Sequence, residues 1–164
     1  MKAITAGLSV GLMLAGCGDS GMKDAATRIV PVTIVSGGTH HVFRAELAQT
    51  TAEQARGLMF RTDLPPDSAM LFAPYPPEGG PAREASFWMK NTPSALDIIF
   101  IRADGSIARI ADNTIPFSEA PVASGEPIAA VLEVPGGRAA ELGIGEGDMV
   151  RWPVSATAAP GPAR

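Results

Sequence analysis

The sequence predicts a mainly β protein: one domain, a β-sandwich or barrel-like antiparallel fold with one or two short helices. Three observations carry this. The chain holds 18 glycines and 15 prolines, a level that favours many turns over a helical bundle. Apolar residues make up 46% and charged residues only 18%, which suits one packed core in a chain of this length. Finally, Leu96-Asp97-Ile98-Ile99-Phe100-Ile101 is an apolar, largely β-branched run closed by Asp104-Gly105, so it reads as a strand buried on both faces.

The other elements follow in order. Arg28 to Val35 is a strand, and Pro31 lacks an N–H for a ladder, so an edge position is expected. Ser36 to Thr39 turns the chain back into a second strand, His40 to Ala48. There Phe43, Ala45 and Leu47 share one face, and Val42, Arg44 and Glu46 the other. Thr51 and Gln54 fit a capping box, so a short helix starts there and weakens at Gly57. Asp63 to Asp67 is a loop, Ala69 to Phe72 a brief strand, and Pro74 to Pro81 a rigid surface loop or pocket rim. Asp104-Gly105 is a hairpin signal that pairs Ser106–Ala111 with Leu96–Arg102. Asp112 to Pro127 lacks a period and reads as a long loop. Ala129 to Val134 is a strand, Arg138 to Leu142 a helical turn stopped by Gly143, and Met149 to Val154 the last strand.

The termini differ from the domain. Lys2 precedes an apolar run, Ala3 to Leu14, too short for a spanning helix of ~20 residues but suited to a secretory signal. Leu14-Ala15-Gly16-Cys17 follows and resembles the box at which bacterial lipoproteins are cleaved and acylated. The organisation expected is a lipoprotein signal peptide over 1–16, a tether over 17–27 starting at lipidated Cys17, a β-rich domain over 28–154 and a disordered tail over 155–164. The protein is then lipid-anchored in the bacterial cell envelope, facing the periplasm, on the inner or outer membrane. Cys17 is the one cysteine, so no thiol remains for a disulfide or metal. Removing the signal leaves 12 basic against 17 acidic residues, a balance with no pull toward nucleic acid.

Arg56-Gly57-Leu58-Met59-Phe60-Arg61, Met70-Leu71-Phe72, Phe87-Trp88-Met89-Lys90-Asn91-Thr92, Leu96 to Phe100, Leu132-Glu133 with Gly136-Gly137, and Gly147-Asp148 come in an order and spacing that closely resemble the family called domain of unknown function 192. The resemblance runs from about Val32 to Trp152. It implies a compact, mainly β domain, often exported or lipid-anchored, and no established activity. Some relatives carry a cysteine pair in the region matching Asp112 to Pro127; Ser118 and Ser124 lie in that region here.

Asp97 is the first candidate for chemistry. A carboxylate inside a doubly buried strand needs a partner, and Arg56, Arg61 and Lys90 are the cations in the motif stretches. A structural ion pair is one reading; a pocket floor or poised base is the other. If Ser86 to Thr92 is extended, Trp88, Lys90 and Thr92 share one face, and Phe87, Met89 and Asn91 the other. An aromatic plane beside a cation and a hydroxyl suits a sugar or a small anion, but also a tryptophan packed on a lysine stem. The candidate ligand-binding set is therefore Trp88, Lys90, Asn91, Thr92, Asp97, Arg56 and Arg61. His40 and His41, the only histidines, point to opposite faces and do not readily clasp one metal, so no metal or cofactor is expected. The Gly136-Gly137 amides are a turn or an anion seat. A carboxylate pair such as Asp97 with Glu133 depends on their separation. Serine-elbow, zinc-helix, phosphate-loop and Cys-x-x-Cys patterns are absent. Three functions fit: binding of a small polar or saccharide ligand or an envelope partner; an enzyme using Asp97 with Lys90 or an arginine; or an accessory protein with no ligand.

Overall fold

The computed structural model describes residues 28–153. Cys17, the signal, the tether and the tail lie outside the described residues. Nine strands and two short helices are described: β1 (Ile29–Ser36), β2 (Thr39–Ala48), α1 (Thr51–Arg56), β3 (Ser68–Phe72), β4 (Arg83–Phe87), β5 (Leu96–Ile101), β6 (Ile107–Ala111), β7 (Val122–Ile128), β8 (Ala130–Pro135), α2 (Arg138–Glu141) and β9 (Met149–Arg151).

Seven strands form one sheet in the order β6-β5-β8-β3-β2-β1-β9. Its two ends curl together. Ser106 bridges Met149, the Val150 N–H donates to the Gly105 carbonyl at 2.8 Å, and the Ile107 N–H donates to the Asp148 carbonyl at 2.8 Å. The result is the expected barrel-like fold, nearly closed. One pair departs from an all-antiparallel scheme: β2 and β3 run parallel, joined through α1 and its loop. A two-stranded ribbon of β4 and β7 lies outside the barrel.

Strand parity explains why β5 is apolar throughout. Ile99 and Ile101 join Leu132, Val134, Ile34 and Phe43 in the barrel interior. Leu96, Ile98 and Phe100 point outward and pack with Val131, Phe72 and Met89 in a second cluster. All six residues of β5 are buried, and each fully buried large side chain is worth roughly 1.5–3 kcal/mol over exposure.

Several expectations are corrected. β1 is flanked by β2 and β9, so it is not an edge, although β9 pairs only with Thr33 to Val35 and stops short of Pro31. The capping box sits one residue earlier: Thr50 Oγ1 accepts from the Glu53 N–H, and Glu53 Oε2 accepts from the Thr50 N–H. Glu ionises and so accepts more strongly there than Gln. The supposed loop from Asp112 to Pro127 contains most of β7, which pairs with β4 through a bulge. Gly125 and Pro127 disguised it. The stretch Trp88 to Thr92 is not strand. It leaves β4 and turns at Asn91, whose φ of 54° is left-handed.

Candidate functional site

Asp97 has a different partner from those expected. Its side chain points into the barrel end, where α2 plugs the opening with buried Ala139. Oδ1 accepts from the Asn113 N–H (2.7 Å) and the Gly137 N–H (2.8 Å), and Oδ2 accepts from the Ala139 N–H (2.8 Å). No arginine or lysine pairs with it among the described residues. Three backbone amides do the work expected of a cation, and two of them belong to the first turn of α2, where an acceptor is favoured. Gly137 has no side chain to cap this helix and sits at φ 82°, so Asp97 caps it from β5. Gly136 must also be glycine: an added Cβ would lie 2.6 Å from Asn113 Oδ1 and 2.9 Å from Ala95 Cβ. Of the Gly136-Gly137 amides, only that of Gly137 reaches the Asp97 carboxyl; the Gly136 N–H donates to the Ala95 carbonyl at 2.9 Å.

The other buried carboxyl is Glu133, in β8. Asp97 registers with Val134, and Ile98 with Glu133, so the two acids project from opposite faces of the sheet. They do not form a catalytic pair. Glu133 points outward and is only 4% exposed. Its Oε2 is buried without a hydrogen-bond partner. Burial alone pushes its carboxyl up from 4.5 to about 8, because the charged form loses its water and gains nothing in return. A small void beneath it is walled by Leu58, Leu64, Ala69 and Val134, with Ser68 and the Glu46 carboxylate. That carboxylate is held by both terminal nitrogens of Arg61, at 2.9 and 2.7 Å.

Above Glu133 opens a cleft of about 620 Å³, within the range of small-ligand sites. One wall is α1 and the turn after it: Thr51, Gln54, Arg56, Gly57 and Leu58. The other is β4 with Trp88, contributed by Arg83, Ser86 and Phe87. Phe72, Thr92 and Glu133 lie between, and Tyr75, Pro77 and Glu78 of the proline-rich loop close one end. Gln54 is fixed by its amide Nε2, which donates to the Ala48 and Pro74 carbonyls at 3.1 and 2.8 Å. That leaves Oε1 as a second buried oxygen without a partner. Two buried oxygens without a hydrogen-bond partner thus belong to the cleft lining.

The candidates named from sequence divide. Arg56, Trp88 and Thr92 line the cleft. Thr92 is buried and its Oγ1 donates to the Lys90 carbonyl at 3.1 Å. Trp88 is 49% exposed, with Lys90 Nζ 5.2 Å from its ring centroid. Lys90 also lies 3.8 Å from Glu119 Oε2, so Trp88 and Lys90 do share a side, outside strand geometry. Asn91 is exposed, and Arg61 serves Glu46. Lys90, Asn91, Arg61 and Asp97 do not line the cleft. Glu133, Gln54, Ser86 and Arg83 do, and the candidate set omitted them. The sequence signal for Glu133 was the same as for Asp97, a single acid inside an apolar strand.

Beside the Trp88 turn, Phe60 and Phe117 are 70% and 63% exposed and have φ of 65° and 59°. Their N–H groups donate to the Asn91 and Thr92 carbonyls at 2.8 and 3.1 Å. Bulky residues at positive φ are strained. Among the described residues there is no cluster of three or more metal-ligating side chains, and no helix is long and apolar enough to cross a membrane.

Comparison with known proteins places this geometry. A protein of unknown function from Novosphingobium aromaticivorans is 47% identical, with a TM-score of 0.73 over 79% of this chain and 89% of that one. A putative transcription regulator from Sinorhizobium meliloti is 37% identical, with a TM-score of 0.71 over 77% of this chain and 95% of that one. No curated protein matches significantly. The model of DUF192, described as an uncharacterised ACR family, matches residues 32–152. That span holds the barrel, the ribbon and both buried acids, and the chain belongs to the DUF192 family.

Proposed function

We propose that the protein is a binding module of the cell envelope whose cleft over Glu133 receives a small ligand or a segment of a partner bearing N–H or O–H donors. One observation carries this reading: a buried carboxyl oxygen with no partner at a cleft. Leaving such a group unsatisfied costs about 1–3 kcal/mol, and a cost of this kind is retained where function uses it. Gln54 Oε1 adds a second acceptor, and Phe72, Tyr75, Phe87 and Trp88 supply apolar surface. The saccharide reading draws on Trp88 at the rim. The anchor reading draws on the Cys17 box, and Cys17→Ser is expected to release the protein from the membrane fraction. The name of the Sinorhizobium protein points to DNA, but a net charge of −4 supplies no electrostatic footprint for it.

The test is a ligand-observed NMR screen of amides, amines and sugars against the whole chain and its Glu133→Leu variant. Hits lost in the variant, with an equal or higher melting temperature, support the reading. Hits unaffected by Glu133→Leu contradict it.

A further inference from the structure

β4 is an edge strand, and its parity shows where its unused backbone groups point. The Ala85 N–H donates to Ser124 Oγ on β7 at 2.9 Å, and the Met89 N–H donates to the Ser118 carbonyl at 2.8 Å. The Ala123 carbonyl on β7 is taken by the Arg109 guanidinium rather than by β4. Successive residues of a strand turn their N–H and C=O groups to opposite edges. Within β4, Arg83, Ala85 and Phe87 therefore face β7, and Glu84 and Ser86 face away. No residue of β7 lines the cleft, whereas Arg83, Ser86, Phe87 and Trp88 do. The cleft runs along the open edge of β4, with α1 as its far wall.

Natural proteins blunt open edges with proline, charge or a bulge. Arg83 and Glu84 charge the start of β4, but Ala85-Ser86-Phe87 has no proline and no charge, and the extra residues of the nearby bulge belong to β7. An edge left uncharged over its second half, facing a helix across a cleft, is the layout of strand addition. Main-chain bonds there give affinity, and alternate side chains give specificity.

We infer that the cleft takes an extended polypeptide segment, added as a strand along the open edge of β4, with a donor-bearing side chain lowered between Gln54 and Glu133. This rests on the binding reading above and names its ligand class. The segment's backbone pairs with Glu84 and Ser86, which a rigid sugar or a lone amine does not do. Strand period two sends every second side chain to the floor, where Gln54 Oε1 and Glu133 Oε2 lack partners. Arg56, on the α1 wall, has no ion-pair partner among the described residues and is open to a carboxylate of the segment.

The probe is a phage-displayed library of random linear peptides panned on the whole chain, with selected sequences then synthesised. Backbone N-methylation at alternate positions should weaken binding roughly tenfold per methyl in one parity and little in the other. Amide exchange at Glu84 and Ser86 should slow in the complex. Ser86→Pro, which removes an outward N–H from an edge, should abolish binding with a near-normal melt, and N-methylation serves as the control if that variant does not fold. Peptides indifferent to methyl parity, with no protection at Ser86, would overturn strand addition. So would small-molecule hits lost in Glu133→Leu without any peptide binder; that outcome keeps the binding reading. Neither peptides nor small molecules would overturn both.

Discussion

Asp97 and Glu133 stand one register step apart on neighbouring strands, both buried, on opposite faces of one sheet. Asp97 has three backbone donors; Glu133 has none on Oε2. The interior acid is a fastener: it joins β5 to α2 and to the Asn113 loop and closes one end of the barrel. The exterior acid fastens nothing. Burial does not by itself tell a structural acid from a functional one. What tells them apart is whether the fold supplies the partner.

The largest effect of a single substitution at fixed pH should come from removing the fastener. Asp97→Asn places an amide N–H where Ala139 donates, so two donors meet in a buried site. The loss should be on the order of 3 kcal/mol, or roughly 10 °C in a melt of a domain this size. A melt within a degree or two of wild type would break the comparison.

The second effect is pH dependence with a fixed sign. Glu133 is raised from 4.5 to about 8 in the folded chain, so the folded state holds a proton that the unfolded state releases between those values. Its contribution to stability is fully present below about pH 4.5 and is lost as pH rises through 8, at up to about 1.4 kcal/mol per pH unit. The other charges around the cleft are Arg56, the Arg83–Glu78 pair and the Arg61–Glu46 pair. In denaturant titrations from pH 5 to 8, wild type should fall relative to Glu133→Gln. Parallel curves would show that Glu133 is not the group responsible.

The smallest effect should come from Lys90→Ala. The ammonium sits beside an exposed ring and 3.8 Å from an exposed glutamate, and such contacts are worth roughly 0.5 kcal/mol or less. A loss of several degrees in the melt would show that the Trp88 turn is a structural element rather than a rim.

Much of the fold was legible because it rests on side-chain type. The doubly buried β5, the Asp104-Gly105 hairpin and the β1–β2 pair follow from period and turn chemistry. β7 was hidden because Ser124, Gly125 and Pro127 say turn, while the pairing that makes it a strand comes from β4. The need of Asp97 for a partner was legible; the partner was not, since every residue carries a backbone N–H and only the fold decides which ones converge. Trp88, Thr92 and Arg56 were found through their motifs. Glu133 entered only as the second half of a pair with Asp97, because only Asp97, in the stronger strand, was pressed for its missing partner.

That Glu133 is buried, unpaired and neutral at the cleft is tested most directly by ¹³C NMR of its side-chain carboxyl across pH, assigned by comparison with Glu133→Gln. The midpoint expected is near 8. A midpoint near 4.5 would mean that the carboxyl is solvated or paired, and would contradict it.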